Sequence, residues 1–188
     1  MVFVEVTSVV LALLYVVLIA RKVRLGWVFG TVSSALAVWL FWKSNLNSEA
    51  LLYLFYVLAG VYGYFQWGQH KVEKQEQFTY QEWKVVNHTI IIVGTASVAV
   101  VLGRLMQDWG SHFPYFDAFT TCFGFLATFM AARKVLSNWI YWIIIDLASA
   151  YLYFLKDLNY YSILMVLYTV LAAYGYFEWR KTGRPSQD

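Results

Sequence analysis

Seven apolar stretches, at about residues 4–20, 25–42, 49–67, 86–106, 116–132, 138–155 and 160–179, occupy nearly the whole of this 188-residue chain. Each ends in a charged or turn-prone cluster such as Arg21–Arg24, Lys43–Glu49 or Lys156–Asn159. A helix needs about 20 mostly apolar residues to cross roughly 30 Å of hydrocarbon, so stretches of this length read as transmembrane helices. The chain is 61% hydrophobic and 13% charged, against about 25% charged in an ordinary soluble domain. The expected class is therefore an all-α integral membrane protein with seven spans. The opening MVFVEVTSVVLALLYVVLIARK has no basic leader or small-residue cleavage site and reads as the first span. The polar stretch from Gly68 to Lys84 reads as a linker.

Basic residues give the orientation, because successive spans alternate sides and cytoplasmic loops collect lysine and arginine. One side carries Arg21, Lys22, Arg24, Lys71, Lys74, Lys84, Arg133, Lys134, Arg180, Lys181 and Arg184, and the other only Lys43, Arg104 and Lys156. The reading is a multi-pass protein of the inner cell membrane, N-terminus outside and C-terminus cytoplasmic. The net charge of +3 is spread between apolar runs, which argues against a nucleic-acid partner; the lipid bilayer is the expected surround.

An internal repeat fixes the organisation further. Arg21-Lys22-Val23 recurs 112 positions on as Arg133-Lys134-Val135, and Tyr62-Gly63-Tyr64-Phe65 as Tyr174-Gly175-Tyr176-Phe177. Without a gap, Trp27 meets Trp139, Leu46 meets Leu158, Asn47 meets Asn159, Tyr56 meets Tyr168, Trp67 meets Trp179 and Glu5 meets Asp117. With one span between them, the two three-helix units must point the same way, a 3+1+3 arrangement with parallel repeats. The expected divisions are 1–67, 68–115, 116–179 and a cytoplasmic tail 180–188. Parallel repeats occur in secondary transporters, whose substrate sites lie near the midplane between the repeats.

No nucleotide loop, hydrolase elbow or zinc-protease signature is present, and His70, His88 and His112 fall at loops or span ends. Nothing points to an enzyme, a cofactor or a metal site. Cys122 is a lone cysteine read as an apolar helix residue. Asp146 stands out, because a charge near the middle of a span costs about 2.5–3.5 kcal/mol on insertion scales. Trp139, Trp142, Asp146, Ser149 and Tyr153 fall within about an 80° sector of one helix at 100° per residue. An aromatic, hydroxylated face around a carboxylate suits a planar cation. The alternative is that Asp146 is protonated or hydrogen-bonded to a neighbouring helix and that the tryptophans are packing or interface-belt residues. Ser34 is the repeat mate of Asp146, so the face is asymmetric. Tyr53, Tyr56, Gly60, Gly63 and Trp67 form a second stripe, with Met165, Tyr168, Ala172, Gly175 and Trp179 as mates; Tyr53, Tyr56 and Tyr168 are candidates for a central cavity. Glu178 reads as an ion pair with Arg180 and Lys181, and Glu5 and Asp117 as stabilisers of helix N-termini.

The segments SNWIYWIIIDLASAYLYFLKDLNYYSI and YGYFEWRK, with RKV ahead of them, and GWVFG followed by VYGYFQW, resemble the PnuC family of vitamin transporters over essentially the whole chain. The most specific part is the W-x-x-W-x-x-x-[N/D] pattern, here Trp139, Trp142 and Asp146. The resemblance implies a fold related to full-length SWEET-type sugar transporters and facilitated uptake of nicotinamide riboside, trapped by a cytoplasmic kinase. It also implies two departures, since riboside carriers often have Asn at the position of Asp146 and Gln at that of Tyr53. Thiamine, also a cationic ring, is the second expected substrate. The alternative of another class is a non-transporting membrane interaction protein. Sequence leaves room for a homo-oligomer.

Overall fold

The structure, a computed structural model, describes residues 2–44, 47–68, 78–108, 113–155 and 157–186. Within them the chain forms α1 (Val2–Ala20), α2 (Gly26–Lys43), α3 (Asn47–Gly68), α4 (Val85–Asp108), α5 (Pro114–Ala132), α6 (Asn138–Leu155) and α7 (Asn159–Thr182). The expected stretches agree with these helices to within a few residues at each end. Six of the seven are long and apolar enough to cross a membrane. The exception, α2, has its apolar run diluted by Gly26, Gly30, Thr31, Ser33 and Ser34. Large apolar side chains point outward along the helices, among them Phe3 (82% exposed) and Val85 (79%). In water such a surface would be a continuous aggregation patch; in lipid it is solvated.

Helix ends are set by local chemistry. Lys22 and Lys134 both have positive φ, 63° and 56°. Around Lys22 the Val23 N–H donates to the Leu18 carbonyl at 2.8 Å and the Lys22 N–H to Ile19 at 2.9 Å; around Lys134, Val135 donates to Met130 at 2.9 Å and Lys134 to Ala131 at 3.0 Å. These are Schellman caps, which normally place glycine at the left-handed position. A lysine there costs about 1–2 kcal/mol of backbone strain, and both side chains have work that glycine could not do. Lys22 reaches Glu178 at 3.6 Å and bonds Thr182. The Lys134 ammonium lies 5.9 Å from the Trp67 ring centre and 5.7 Å from that of Phe78, and burial there lowers its pKa from the ordinary lysine value. Glu178 therefore pairs with the turn after α1, not with its neighbours Arg180 and Lys181 as expected.

Helices α1, α2 and α3 pack in sequence, as do α5, α6 and α7, and the two groups meet through α3 on α5 and α1 on α7. Helix α4 packs on α5, with only Ala99 and Gly103 buried on it. At the end bearing the basic turns, the Trp67 indole N–H donates to the Ala131 carbonyl at 3.2 Å and the Trp179 N–H to Ile19 at 3.0 Å. Donors and acceptors are related by the same 112-residue spacing. Trp27 lies against Gly63 and Trp139 against Gly175, so closely that a Cβ on either glycine would come within 2.5 Å and 2.7 Å of the ring.

Of the stretch read as a linker, residues 69–77, with His70, Lys71 and Lys74, lie outside the described residues, as do Leu46, His112 and Lys156. Its described remainder is not a passive connection. β1 (Thr79–Tyr80) pairs in parallel with β2 (Arg184–Pro185), and Gln81 bridges to Val135. Of the stretch read as a tail, residues 180–182 continue α7 and Arg184–Pro185 is strapped across the basic end.

Alanine at Gly63 or Gly175 is expected to lower the thermal unfolding temperature in detergent, at about 1–3 kcal/mol each. Gly94→Ala, which meets open space, is expected to leave it unchanged or raise it.

Candidate functional site

A cavity of about 340 Å³ lies between α1, α3, α5, α6 and α7. Helix α6 contributes Trp139, Trp142, Asp146, Ser149 and Tyr153; α3 contributes Tyr53 and Tyr56; α7 contributes Tyr168. All eight candidate residues read from the sequence therefore face one space. Helical periodicity accounts for the α6 set, because positions three to four apart share a face. The α3 tyrosines reach the same space from across the seam between the two helix groups, and Tyr168 reaches it from α7, which packs beside α6.

Several other lining residues are not singled out by the sequence pattern. Tyr15 enters from α1 with Ala12, Val16 and Ile19, and α5 adds Thr120 and Thr121. Tyr15 is the one aromatic in an otherwise aliphatic stretch of α1 after Phe3, a signal that could have marked it. Asn138, at the first position of α6, also borders the cavity; its amide donates to the Val135 carbonyl at 2.6 Å. A second space of about 130 Å³ shares Tyr15, Tyr53, Tyr56 and Trp142 with the first and reaches Trp27, Ser33 and Ser34 of α2. Trp142 and Asp146 thus have Gly30 and Ser34 as mates bordering this smaller space.

Asp146 is 7% exposed. Among the described residues its carboxylate has no ion pair and no hydrogen bond from a neighbouring helix. Of the alternative roles for it, the hydrogen bond to a packed helix is not observed among these residues. Among the described residues no lysine or arginine lines the cavity. A carboxylate in low dielectric, ringed by tryptophan and tyrosine, offers charge attraction and π faces to a cationic ring. The arrangement holds no paired acid and base and no nucleophile with an activating neighbour. His88 lies elsewhere, on the side of α6 away from Asp146, where its ring is 2.9 Å from the Tyr141 hydroxyl and 3.3 Å from that of Ser137.

The cavity rests on a tightly closed floor. Trp27, Trp67, Trp139 and Trp179 are 1%, 8%, 3% and 0% exposed. Ring centres stand 5.9 Å apart for Trp27–Trp67, 5.9 Å for Trp67–Trp179 and 5.3 Å for Trp139–Trp179. Trp139 belongs to both floor and cavity. Among the described residues the buried side-chain polar atoms without a protein partner are Trp27 Nε1, Trp139 Nε1 and Asn138 Oδ1, all in or beside this layer. Each such orphan costs roughly 1–3 kcal/mol.

Fold and site define a multi-pass helical membrane protein with a central, aromatic, anionic cavity, an arrangement suited to passing a small molecule between the two sides. The family model described as nicotinamide mononucleotide transporter matches residues 2–181, and the chain belongs to that family. Relatives named nicotinamide riboside transporter PnuC include one from Escherichia coli (strain K12), 21% identical over 209 residues, covering 97% of this chain and 87% of the relative. Another, from Haemophilus influenzae (strain ATCC 51907 / DSM 11121 / KW20 / Rd), is 24% identical over 179 residues, covering 90% and 75%. The crystal structure of the vitamin B3 transporter PnuC superposes with a TM-score of 0.76 at 20% identity, over 96% of this chain and 81% of that one.

Asp146→Asn is expected to keep or raise the unfolding temperature of the ligand-free protein, since it removes a charge whose burial costs about 2.5–3.5 kcal/mol. Calorimetry in detergent checks it; a clear loss of stability would mean the carboxylate holds a bond the structure depends on.

Proposed function

We infer that the protein is a facilitator that admits nicotinamide riboside to the cell through the inner membrane. Family membership and the names of the relatives support transport of this vitamin precursor. The observation that carries the substrate class is Asp146, a carboxylate without a protein partner among aromatic rings, in a cavity of about 340 Å³. That volume lies near the lower end of the roughly 300–1,000 Å³ of small-molecule sites. Nicotinamide riboside brings a planar pyridinium for Trp142, Trp139 and the tyrosines, and its positive charge meets Asp146. Ser149, Tyr53, Tyr56, Tyr153 and Tyr168 supply hydroxyls for the ribose. The mononucleotide named in the family description would add a phosphate to a cavity that holds a carboxylate and, among the described residues, no lysine or arginine, so the unphosphorylated riboside is the better fit.

The architecture that goes with this reading is seven spans in a 3+1+3 order, two parallel three-helix units related as in SWEET-type carriers, with α4 as the link. Supporting it, α1, α2 and α3 begin 112 positions before α5, α6 and α7, the two lysine caps match, and the two cross-group tryptophan bonds are reciprocal. The basic turns and the C-terminus face the cytoplasm and the N-terminus faces outside. Passive entry requires a sink, and a cytoplasmic kinase that phosphorylates the riboside supplies one, because the product's phosphate no longer suits an anionic cavity. Thiamine is the second reading, favoured by the carboxylate at 146 where riboside carriers often have an amide.

Thermal unfolding of the purified protein tests this. Ligand at 100 times its Kd adds about 2.7 kcal/mol of apparent stability. Nicotinamide riboside is expected to raise the transition and nicotinamide mononucleotide to leave it in place, with the rise lost in Asp146→Ala. A larger rise with thiamine would favour the second reading, and an equal rise with the mononucleotide would overturn the charge argument.

A further inference from the structure

Phe78 occupies a position that the two helix groups create together. Its ring centre lies 4.9 Å from that of Trp179 and 5.9 Å from that of Trp67. The Lys22 ammonium is 5.6 Å from it and the Lys134 ammonium 5.7 Å. These neighbours are two matched pairs, each 112 positions apart, one member from each group. A single ring from outside both groups therefore covers the seam between them, on the side of the tryptophan floor away from the cavity.

The chain holds Phe78 there by its backbone. The Arg184 N–H donates to the Phe78 carbonyl at 2.9 Å and the Ser186 N–H to the Tyr80 carbonyl at 2.8 Å, while Gln81 exchanges bonds with Lys134 and Leu136 at 2.9 and 3.0 Å. Tyr80, 5% exposed, packs on Gly183. Lys22, joined to Glu178 and Thr182, ties the same corner. The C-terminal strand, the α5–α6 turn and the end of α7 are thus fastened over one aromatic ring. Beneath it, Trp27 Nε1, Trp139 Nε1 and Asn138 Oδ1 are buried without partners among the described residues.

We propose that Phe78 is the plug of the cytoplasmic exit and that the C-terminal strand Arg184–Pro185 is the latch that seats it, so that a molecule in the cavity leaves inward only when this strand releases. The proposal rests on the transport reading of the cavity and adds a gate whose opening is set by residues that touch no substrate. A tail segment that controls release also gives the cell a point of control remote from the binding residues.

Cysteine accessibility tests it without reference to any substrate. The probe is Ala172→Cys, at the inner wall of the cavity, in a Cys122→Ser background, in inside-out vesicles treated with a membrane-impermeant maleimide. Two variants weaken the latch: the pair Arg184→Pro with Ser186→Pro, which removes both ladder donors, and Phe78→Ala, which removes the plug. Loss of interactions of one to two kcal/mol shifts an opening equilibrium by roughly five- to thirtyfold, and labelling is expected to quicken by that factor in each variant. Phe78→Leu, an apolar filler without the ring's cation contacts, is expected to fall between and guards against misfolding of the others. Equal labelling rates in all chains would overturn the latch while leaving the ligand-induced stabilisation of the wild type intact. Absence of that stabilisation in the wild type would instead overturn the transport reading.

Discussion

Two indole N–H groups hold the halves of this molecule together. Trp67 on α3 reaches the last turn of α5, and Trp179 on α7 reaches the last turn of α1. In lipid there is little hydrophobic force between helices, so packing of close surfaces and interhelical hydrogen bonds decide association. Here both operate at one level. Each indole is a second donor to a carbonyl that already accepts from the lysine of the helix cap, and the rings press against each other over glycines that leave room for Trp27 and Trp139. Everything above this level, including the cavity, is space left between helices that are fastened at one end.

The cavity departs from the regularity of its frame. Trp27 and Trp139 do the same packing, but Gly30 stands where α6 has Trp142, and Ser34 where it has Asp146. One half keeps a slim helix α2, and the other carries the bulk and the charge. The frame can thus be matched in both halves while the site is made by one, and a substitution on α6 changes the chemistry without a counterpart to compensate. Among the described residues Asp146 has no ion pair or hydrogen bond, a costly arrangement in a membrane protein, and under the proposed function an incoming cation would offset that cost.

Much of the helical frame is legible in the amino-acid sequence. Apolar runs mark the helices because in hydrocarbon the backbone must satisfy itself, which leaves length and hydropathy as nearly sufficient information. Periodicity puts Trp139, Trp142, Asp146, Ser149 and Tyr153 on one face, and the 112-residue spacing suggests that Tyr56 and Tyr168 meet them. What the sequence hides is tertiary. Thr120 and Thr121 look like ordinary span residues until packing turns them inward. Glu178 has basic neighbours in sequence, yet its partner is Lys22, more than 150 positions away. The strap formed by β1 and β2 is two residues on each side, too short for any alternation pattern, and its meaning comes from what lies beneath it.

Trp139 serves two structures at once. Its ring is part of the aromatic floor and part of the cavity wall, so the position of one side chain enters the free energy of both. A ligand that favours one position of this ring shifts the layer below, and by reciprocity that shift changes the ligand's affinity by the same factor. Under the proposed gate, occupancy of the cavity and opening of the floor would share this one ring and need no longer pathway to be coupled.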